Sequence, residues 1–431
     1  MNTEITMSLD KDRVLEAFRT EKEPEWVTAL REQGFRLAEE LPLPKLEKTK
    51  IERWNLGTFG EITRPKQRAS LKELEGTVSE WIESDNVLVQ RNSGIEFQRL
   101  GEELREQGVI FTGLEQAVRE YPELVKPYLM QAVRADENRV TAIHAALWSG
   151  GAFLYVPKNV HVAEPLQALF RLDDEKACFM PHVLIVAEEN SSVTFVENAI
   201  SEVSAKHDQF GIMEVFVKRG AEVHVASVRG LGEQVTDMTY RRAHVEADGR
   251  IRWIVGEMDA GNAMADTASI LQGDGADSDA KVICVGAGEQ HMNLTTRAVH
   301  IGQFSTSDMV TRAVMREDAT AIINGITKIE KGASGTNGQQ TEKVLMLSPK
   351  ARGDANPILL IDEDDVQAGH AASVGQVNPE QIFYLMSRGI ARAEAERLIV
   401  YGFLAPVISE IPNDRLRERL QALAERKLGQ A

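Results

Sequence analysis

The stretch that decides the fold begins at Gly220-Ala221, continues through Val223-His-Val-Ala-Ser-Val228 and ends at Asp248-Gly249. A short run rich in β-branched residues with alternating side chains lies there between two turn signals. This pattern is typical of a strand with one buried face. Comparable turn signals occur at Asn190-Ser-Ser192 and at Gly275-Ala276, and the later turns follow one another at intervals of about 27–28 residues. A repeat of this length predicts structural units stacked in a line.

Similar strand-like runs fill the middle of the chain, from about Gly150 to Gly375. The clearest are Phe153–Pro157, Val183–Val186, Val193–Val196, Met213–Val217, Ile251–Val255 and Val282–Val285. No stretch with helical periodicity separates them, although a doubly wound parallel sheet would need such helices as crossovers. The pattern therefore favours a β-solenoid, while a sandwich, a barrel or a regular series of hairpins remains open.

Both ends of the chain predict helices. Near the C-terminus, Asn378 is a suitable N-cap, Pro379 fits the first helical position, and Gly389 is a suitable stop. A second helix follows, then a third with Leu416, Leu420 and Leu423 on one face. We expect these helices to cover the open end of the solenoid, with a partner-binding face as the alternative. The predicted domains are a mostly helical N-terminal domain (1–135), a β-solenoid core (136–376) and a C-terminal helical domain (377–431).

The charge balance limits the choice of partners. Lys and Arg number 49 against 66 Asp and Glu, which gives a formal net charge of -17. Such a chain repels phosphate groups, so we expect neither nucleic acid nor an anionic membrane surface as a partner. The first residues lack the basic and apolar regions of a secretory signal, and no run is apolar over the ~18–20 residues of a membrane span. These features predict a cytoplasmic protein.

The chain lacks the usual motifs of a self-contained enzyme. Gly332-Ala-Ser-Gly335 is rich in glycine, but no Gly-Lys-Ser/Thr follows to bind phosphates. The two cysteines, Cys178 and Cys284, sit in apolar runs and are expected to be small core residues. No His-Glu-x-x-His or Cys-x-x-Cys motif occurs, so a zinc site built by this chain alone is not expected. We predict no catalytic residues, and a scaffold or complex subunit rather than an enzyme.

One local stretch stands out as a candidate site. Four consecutive acids, Asp362-Glu-Asp-Asp365, precede His370, which is flanked by the small residues Gly369, Ala371 and Ala372. Small neighbours leave an imidazole accessible, and imidazole binds iron, zinc or copper. On spacing alone, a solvated acidic turn beside a partly buried histidine is the preferred interpretation.

The segment from about Asn356 to Phe403 resembles the SufB/SufD proteins of the Suf iron–sulfur cluster assembly system. The similarity rests mainly on Asp364–Gly375 (DDVQAGHAASVG) and Glu380–Ile390 (EQIFYLMSRGI). Gly151–Val160 and Gln339–Leu347 are similar to other stretches of the family. Within the family, the chain is most similar to the SufD branch, because SufB-type chains carry additional cysteines.

This resemblance implies a right-handed parallel β-helix between two helical domains. It implies pairing with SufB through the β-helices and binding of the SufC ABC-type ATPase by the C-terminal helices. It places His370 at the SufB interface, where it would join a SufB cysteine in holding a transient iron–sulfur cluster. Some SufD chains have Cys where this chain has Ala368, so we expect no cluster to be bound tightly by this chain alone. Further partner contacts are predicted at Asp364, Asp365, Phe383, Tyr384, Arg388, Gly389, Gly402 and Phe403.

Two other interpretations remain. A β-helix enzyme acting on polysaccharide would use the acids of Asp362–Asp365 as calcium ligands or catalytic carboxylates. A purely structural solenoid would bind other proteins without metal chemistry. Without partners, the exposed edges of a β-helix could also pair with a second copy of the chain.

Overall fold

Two sheets form the body of the molecule. A computed structural model describes residues 11–74, 81–82, 84–409 and 414–428. Within these ranges the strands are β1 (Val87–Arg91), β2 (Gly94–Arg99), β3 (Ile110–Gly113), β4 (Ala152–Val156), β5 (Leu166–Leu172), β6 (His182–Ala187), β7 (Ser192–Ser201), β8 (His207–Val217), β9 (Glu222–Gly230), β10 (Val235–Val245), β11 (Arg250–Glu257), β12 (Ala263–Leu271), β13 (Asp277–Gly286), β14 (His291–His300), β15 (Thr306–Met315), β16 (Thr320–Ile329), β17 (Thr336–Met346), β18 (Arg352–Ile361) and β19 (Val366–Gln376).

From β4 onward, consecutive strands alternate between the two sheets. One sheet has the order β19-β17-β15-β13-β11-β9-β7-β5-β1-β2, and the other has the order β18-β16-β14-β12-β10-β8-β6-β4-β3. Neighbours within each sheet are parallel, except that β2 pairs antiparallel with β1 and β3 antiparallel with β4. Each successive strand pair therefore makes one coil, and about eight coils stack on one another. The predicted β-solenoid is confirmed.

The repeat seen in the sequence is a column of left-handed turn residues. Their φ values lie between 54° and 72°, and each N–H donates to the carbonyl that directly precedes the corresponding residue of the next coil, or to Asp365 in the last coil. The column consists of Asn159, Asn190, Gly220, Asp248, Gly275, Phe304 and Gly335. Gly, Asn and Asp tolerate this backbone conformation best, which explains why turn signals recur at near-constant spacing. Phe304 is the exception in this column, because bulky residues rarely adopt positive φ.

Helices flank the solenoid on both sides. In the described residues they are α1 (Lys11–Arg19), α2 (Glu25–Glu40), α3 (Glu102–Glu106), α4 (Leu114–Glu120), α5 (Pro122–Val125), α6 (Arg139–Leu147), α7 (Pro379–Ser387), α8 (Arg392–Ile408) and α9 (Asp414–Lys427). The predicted N-terminal domain, residues 1–135, therefore also supplies β1, β2 and β3 to the sheets. None of the helices in the described part of the chain has the length and hydrophobicity that a membrane span requires.

The N-terminal helices pack on the outer face of the nine-stranded sheet. Their apolar cluster includes Phe153, Leu184 and Phe210 of that sheet. Arg31 of α2 is fully buried there, and its Nη1 donates to the carbonyls of Ala146 and Trp148. This guanidinium ties α2 to the end of α6.

The C-terminal helices α8 and α9 pack on the outer face of the ten-stranded sheet. Val400, Leu404 and Leu420 share one apolar cluster with Ile283 and Val314 of β13 and β15. The prediction that these helices cover the open end is wrong for α8 and α9, because their apolar sides cover an apolar outer face of the sheet. The N-cap of α7 is confirmed: Asn378 Oδ1 accepts from Glu380 N at 2.8 Å. The side chain of Leu416 lies outside the described residues.

Candidate functional site

The last coil, formed by β18 and β19, is the outermost layer of the solenoid. Each of the two strands is the terminal strand of its sheet, so one edge of each is unpaired among the residues that the structure describes. Leu360, Ile361 and Val374 of this coil expose 48%, 41% and 44% of their surface. Unpaired strand edges beside exposed apolar side chains are a common template for pairing with another chain.

His370 lies in β19 of this terminal coil and is exposed. It stands in register with Gln340 of β17, whose side chain is buried inside the solenoid. Register partners in a parallel ladder place their side chains on the same face, so the imidazole lies on the side of β19 that continues the solenoid interior. Ala368 and Ala372 flank it on that face, which leaves the imidazole uncrowded. The imidazole is therefore accessible, and the interpretation of His370 as a partly buried histidine is wrong.

The four acids form the turn between β18 and β19. Glu363 Oε2 accepts from Gly332 N at 2.8 Å, and Oε1 accepts from Asp364 N at 2.9 Å. These backbone N–H groups hold the pKa of Glu363 down to about 2. The side chain of Asp364 is fully exposed, and the carbonyl of Asp365 accepts from Gly335 N at 2.7 Å. The acidic run thus stacks its turn on the turn of the preceding coil, while Asp364 faces solvent.

A buried acid one coil below His370 was not identified from the sequence. Glu342 of β17 is 1% exposed, and its Oε2 has no hydrogen-bond partner among the described residues. Burial raises its pKa to about 7. Its register partner in β19 is Ala372, two residues from His370. The sequence does show that Gln340, Glu342 and Val344 share one face of a strand, because they are two residues apart. It does not show whether that face points into the solenoid, because this depends on strand register.

The interior near this end of the solenoid is polar. His300 is fully buried, and its ring nitrogens lie 2.9 and 2.8 Å from the hydroxyls of Ser305 and Ser307. Burial lowers the pKa of His300 to about 4, so the ring is neutral at ordinary pH. One coil above, Thr327 Oγ1 donates to Gln340 Oε1 at 3.0 Å. A run of buried polar groups therefore lies below His370, where the earlier coils hold mostly apolar side chains.

Neither cysteine belongs to this end of the molecule. Cys178 and Cys284 are both buried and unpaired, and burial raises the pKa of each thiol to about 12. The prediction that they are core residues is confirmed. Neither of these buried thiols offers an accessible ligand beside His370.

Three buried carboxylates elsewhere in the core approach one another closely. Oxygens of Asp237, Glu257 and Asp259 lie within 4.8 Å of each other. Arg229 Nε lies 2.5 Å from Asp237, and Arg241 Nη1 lies 2.9 Å from Glu257. The two guanidinium groups supply the countercharge that a cation would otherwise bring, so this cluster is an ionic network of the core.

The first C-terminal helix presents aromatic side chains to solvent. Phe383 and Tyr384 of α7 are 73% and 57% exposed. Arg388 lies over the ring of Tyr384 at 5.2 Å, and Gly389 ends the helix with a φ of 87°. Gly402 of α8 is also exposed.

Phe403, predicted together with these residues, has a different environment. It is half-buried against the body of the solenoid. Arg312 Nη1 donates to its carbonyl at 2.7 Å, and the guanidinium lies 5.2 Å from the ring centre.

Comparison with known proteins adds independent evidence. A family model described as "SUF system FeS cluster assembly, SufBD core domain" matches residues 170–403, and one described as "SufBD protein N-terminal region" matches residues 16–168. The iron–sulfur cluster assembly protein SufD of Bacillus subtilis (strain 168) is 46% identical over 430 residues, which cover 98% of each chain. Iron–sulfur cluster assembly SufBD family proteins of Staphylococcus haemolyticus and Staphylococcus epidermidis are 28% identical over 94% of this chain and 90% of their own lengths.

Proposed function

The chain belongs to the SufBD family of iron–sulfur cluster assembly proteins, and we propose that it acts as a SufD-like scaffold subunit. In this proposal it pairs with a SufB-like subunit and a SufC-like ATPase to build and transfer iron–sulfur clusters. The cluster is cargo, held transiently at a shared interface. The chain itself supplies position and ligands rather than catalysis.

The observation that carries the proposal is the exposed imidazole of His370 in an unpaired terminal coil. Iron–sulfur clusters are held mainly by thiolates, with imidazole as an occasional replacement. Because Cys178 and Cys284 are buried, the thiolates of the proposed site come from the SufB-like partner. The unpaired edges of β18 and β19 and their exposed apolar side chains support pairing at this end.

The proposal extends to the second partner. Phe383 and Tyr384 of α7 offer an exposed aromatic surface for the SufC-like ATPase, with Arg388 and Gly389 beside it. Asp364 and Asp365 would contact the SufB-like subunit at the edge of β19. ATP hydrolysis on SufC would then reach the terminal coil through the C-terminal helices.

Three finer features complete the proposal. We expect the coils to wind in the right-handed sense, which is the usual hand of crossovers between parallel strands. The functional division is an N-terminal domain (1–135), a β-solenoid core (136–376) and a C-terminal helical domain (377–431). The working location is the cytoplasm, where thiols stay reduced.

Co-expression with SufB-like and SufC-like chains, followed by anaerobic purification, tests the proposal. We expect a three-component complex with the visible absorption of an iron–sulfur cluster. His370→Ala should leave the complex intact but abolish most of the cluster absorption. His291→Ala, which removes another exposed imidazole from the start of β14, should behave like the unmodified chain.

Two results would count against the proposal. A chain that elutes alone in the presence of both partners would refute the role as a subunit. A full cluster yield with His370→Ala would leave a purely structural solenoid as the better interpretation.

A further inference from the structure

The buried carboxyl group of Glu342 lacks the partners that usually stabilise a buried acid. Its side chain is 1% exposed, and Oε2 has no hydrogen-bond partner within the described residues. No salt bridge in that part of the chain includes it, and the cause of its raised pKa is burial. A buried carboxyl group without a partner lowers the stability of the fold. Groups that cost stability in this way are concentrated at functional sites.

The surroundings of Glu342 leave room for its carboxylate. The side chain crosses the interior from β17 towards β16, where a Cβ on Gly325 would lie 1.8 Å from Glu342 Oε1. A Cβ at the same position would lie 3.3 Å from Gln340 Oε1, so the amide oxygen and the carboxylate approach the same point. The side-chain oxygens of Glu342 and Gln340 thus lie close together beside Gly325.

The terminal coil above this point leaves space around His370. Glu342 and Gln340 stand in register with Ala372 and His370 of β19. Adjacent strands are ~4.8 Å apart, so Glu342 lies one strand spacing from the terminal layer that carries His370. The methyl groups of Ala368 and Ala372 leave the face around His370 uncrowded. Beyond β19, no further strand covers this end in the described part of the chain.

We propose that Glu342 provides a carboxylate ligand, next to the imidazole of His370, for a divalent cation that enters through the open end of the solenoid. Mixed imidazole and oxygen ligands suit ferrous iron. The cation would be the positively charged partner that Glu342 lacks within the described residues. The identification of the cation as iron rests on the proposed function. The site would hold the iron before it reaches the partner's thiolates. Gln340 offers its amide oxygen as a third ligand.

The test is an anaerobic calorimetric titration of the purified full-length chain with Fe²⁺, repeated with Co²⁺ and followed by its visible absorption. We expect one bound ion per chain. Glu342→Gln keeps the shape of the side chain but removes the charge, and should weaken Fe²⁺ binding at least about tenfold, as for lost metal-site partners. His370→Ala should weaken it by a similar factor and remove the imidazole contribution to the Co²⁺ spectrum.

Glu363→Gln is the matched control. It neutralises a carboxylate in the acidic turn near His370, where Glu363 is engaged by backbone N–H groups. We expect this variant to bind Fe²⁺ within about twofold of the unmodified chain, because the Glu363 carboxylate is already engaged within its own turn. Unfolding curves recorded for every variant separate lost binding from lost folding.

The outcomes are distinct from those of the proposed function. Unchanged Fe²⁺ affinity in Glu342→Gln, an equal loss in Glu363→Gln, or no Fe²⁺ binding by the unmodified chain would each overturn the inference. Cluster assembly that fails with His370→Ala would still support the proposed function in those cases. Fe²⁺ binding that depends on Glu342 in a chain that forms no complex would support the cation site while refuting the role as a subunit.

Discussion

The carboxylate of Glu342 occupies the space that a side chain on Gly325 would need. A Cβ built on Gly325 would lie 1.8 Å from Glu342 Oε1 and 2.9 Å from its Cδ. Atoms that are not bonded do not approach so closely, so the two positions are sterically linked across the interior from β16 to β17. The glycine is therefore explained by its neighbour rather than by its own backbone.

Replacing this glycine tests the link directly. Gly325→Ala should lower the free energy of unfolding by about 1–3 kcal/mol, the usual cost of overpacking a core. In a Glu342→Ala background the same replacement should cost less than about 1 kcal/mol, because the new methyl group then has space. Urea unfolding of the four proteins in this double-mutant cycle gives the coupling energy. Additive effects would contradict the steric link.

The stability of the chain should depend on pH through Glu342. Burial raises its pKa from 4.5 to about 7, so the folded state binds more protons than the unfolded state between these values. The free energy of unfolding therefore falls as the pH rises through this window. Relative to the unmodified chain, Glu342→Gln should gain about 1–3 kcal/mol of stability between pH 4 and pH 8. Chemical unfolding at several pH values measures this difference, and parallel pH profiles would contradict it.

The edge of β19 should control association. Val374 is 44% exposed there, and a lysine in its place would put a charge against any strand that pairs with the edge. Val374→Lys should weaken the complex with the SufB-like subunit roughly tenfold or more, while the fold stays intact. Glu289→Lys, in an exposed turn of an earlier coil, serves as the charge control. Light scattering coupled to gel filtration reports both outcomes, and equal behaviour of the two variants would exclude this edge.

The aromatic surface of α7 should control binding of the ATPase. The double variant Phe383→Ala/Tyr384→Ala removes two side chains that are 73% and 57% exposed, so the stability of the chain should change little. Affinity for the SufC-like partner should fall by about 1–3 kcal/mol, as for aromatic anchors in other interfaces. Arg392→Ala, an exposed residue at the start of α8, is the control. Unchanged co-purification of SufC with the double variant would place its binding site elsewhere.

The fold could be predicted because recurring turn residues mark the corners of its coils. Asn190, Gly220, Asp248 and Gly275 are residues that adopt positive φ at low cost, and each marks the same corner of successive coils. The next corner is held by Phe304, which no turn rule would select. The position of α8 and α9 could not be predicted, because the outer face that they cover is assembled from strands far apart in the sequence.

The candidate site was only partly predictable for a related reason. His370 stands among small residues and belongs to a recognisable segment, so it could be selected as a candidate, although the spacing alone favoured a partly buried imidazole. Its role as a ligand remains a prediction. Glu342 carries no motif, and its meaning depends on the register of β17 against β19 and on the glycine opposite it. Register between strands about 30 residues apart is set by the stacking of whole coils, which local sequence does not reveal.

The two ends of the solenoid differ in a way that bears on how large an assembly can grow. At one end, β2 and β3 run antiparallel to their neighbours, so the parallel stacking stops there. At the other end, β18 and β19 keep an unpaired edge in the described part of the chain. A molecule that pairs only through its terminal coil would stop the growth of the assembly that it joins, as a chain terminator stops a polymerisation reaction. Edge-to-edge association through the terminal coil consumes that end in both partners, so it yields a closed pair rather than a fibre.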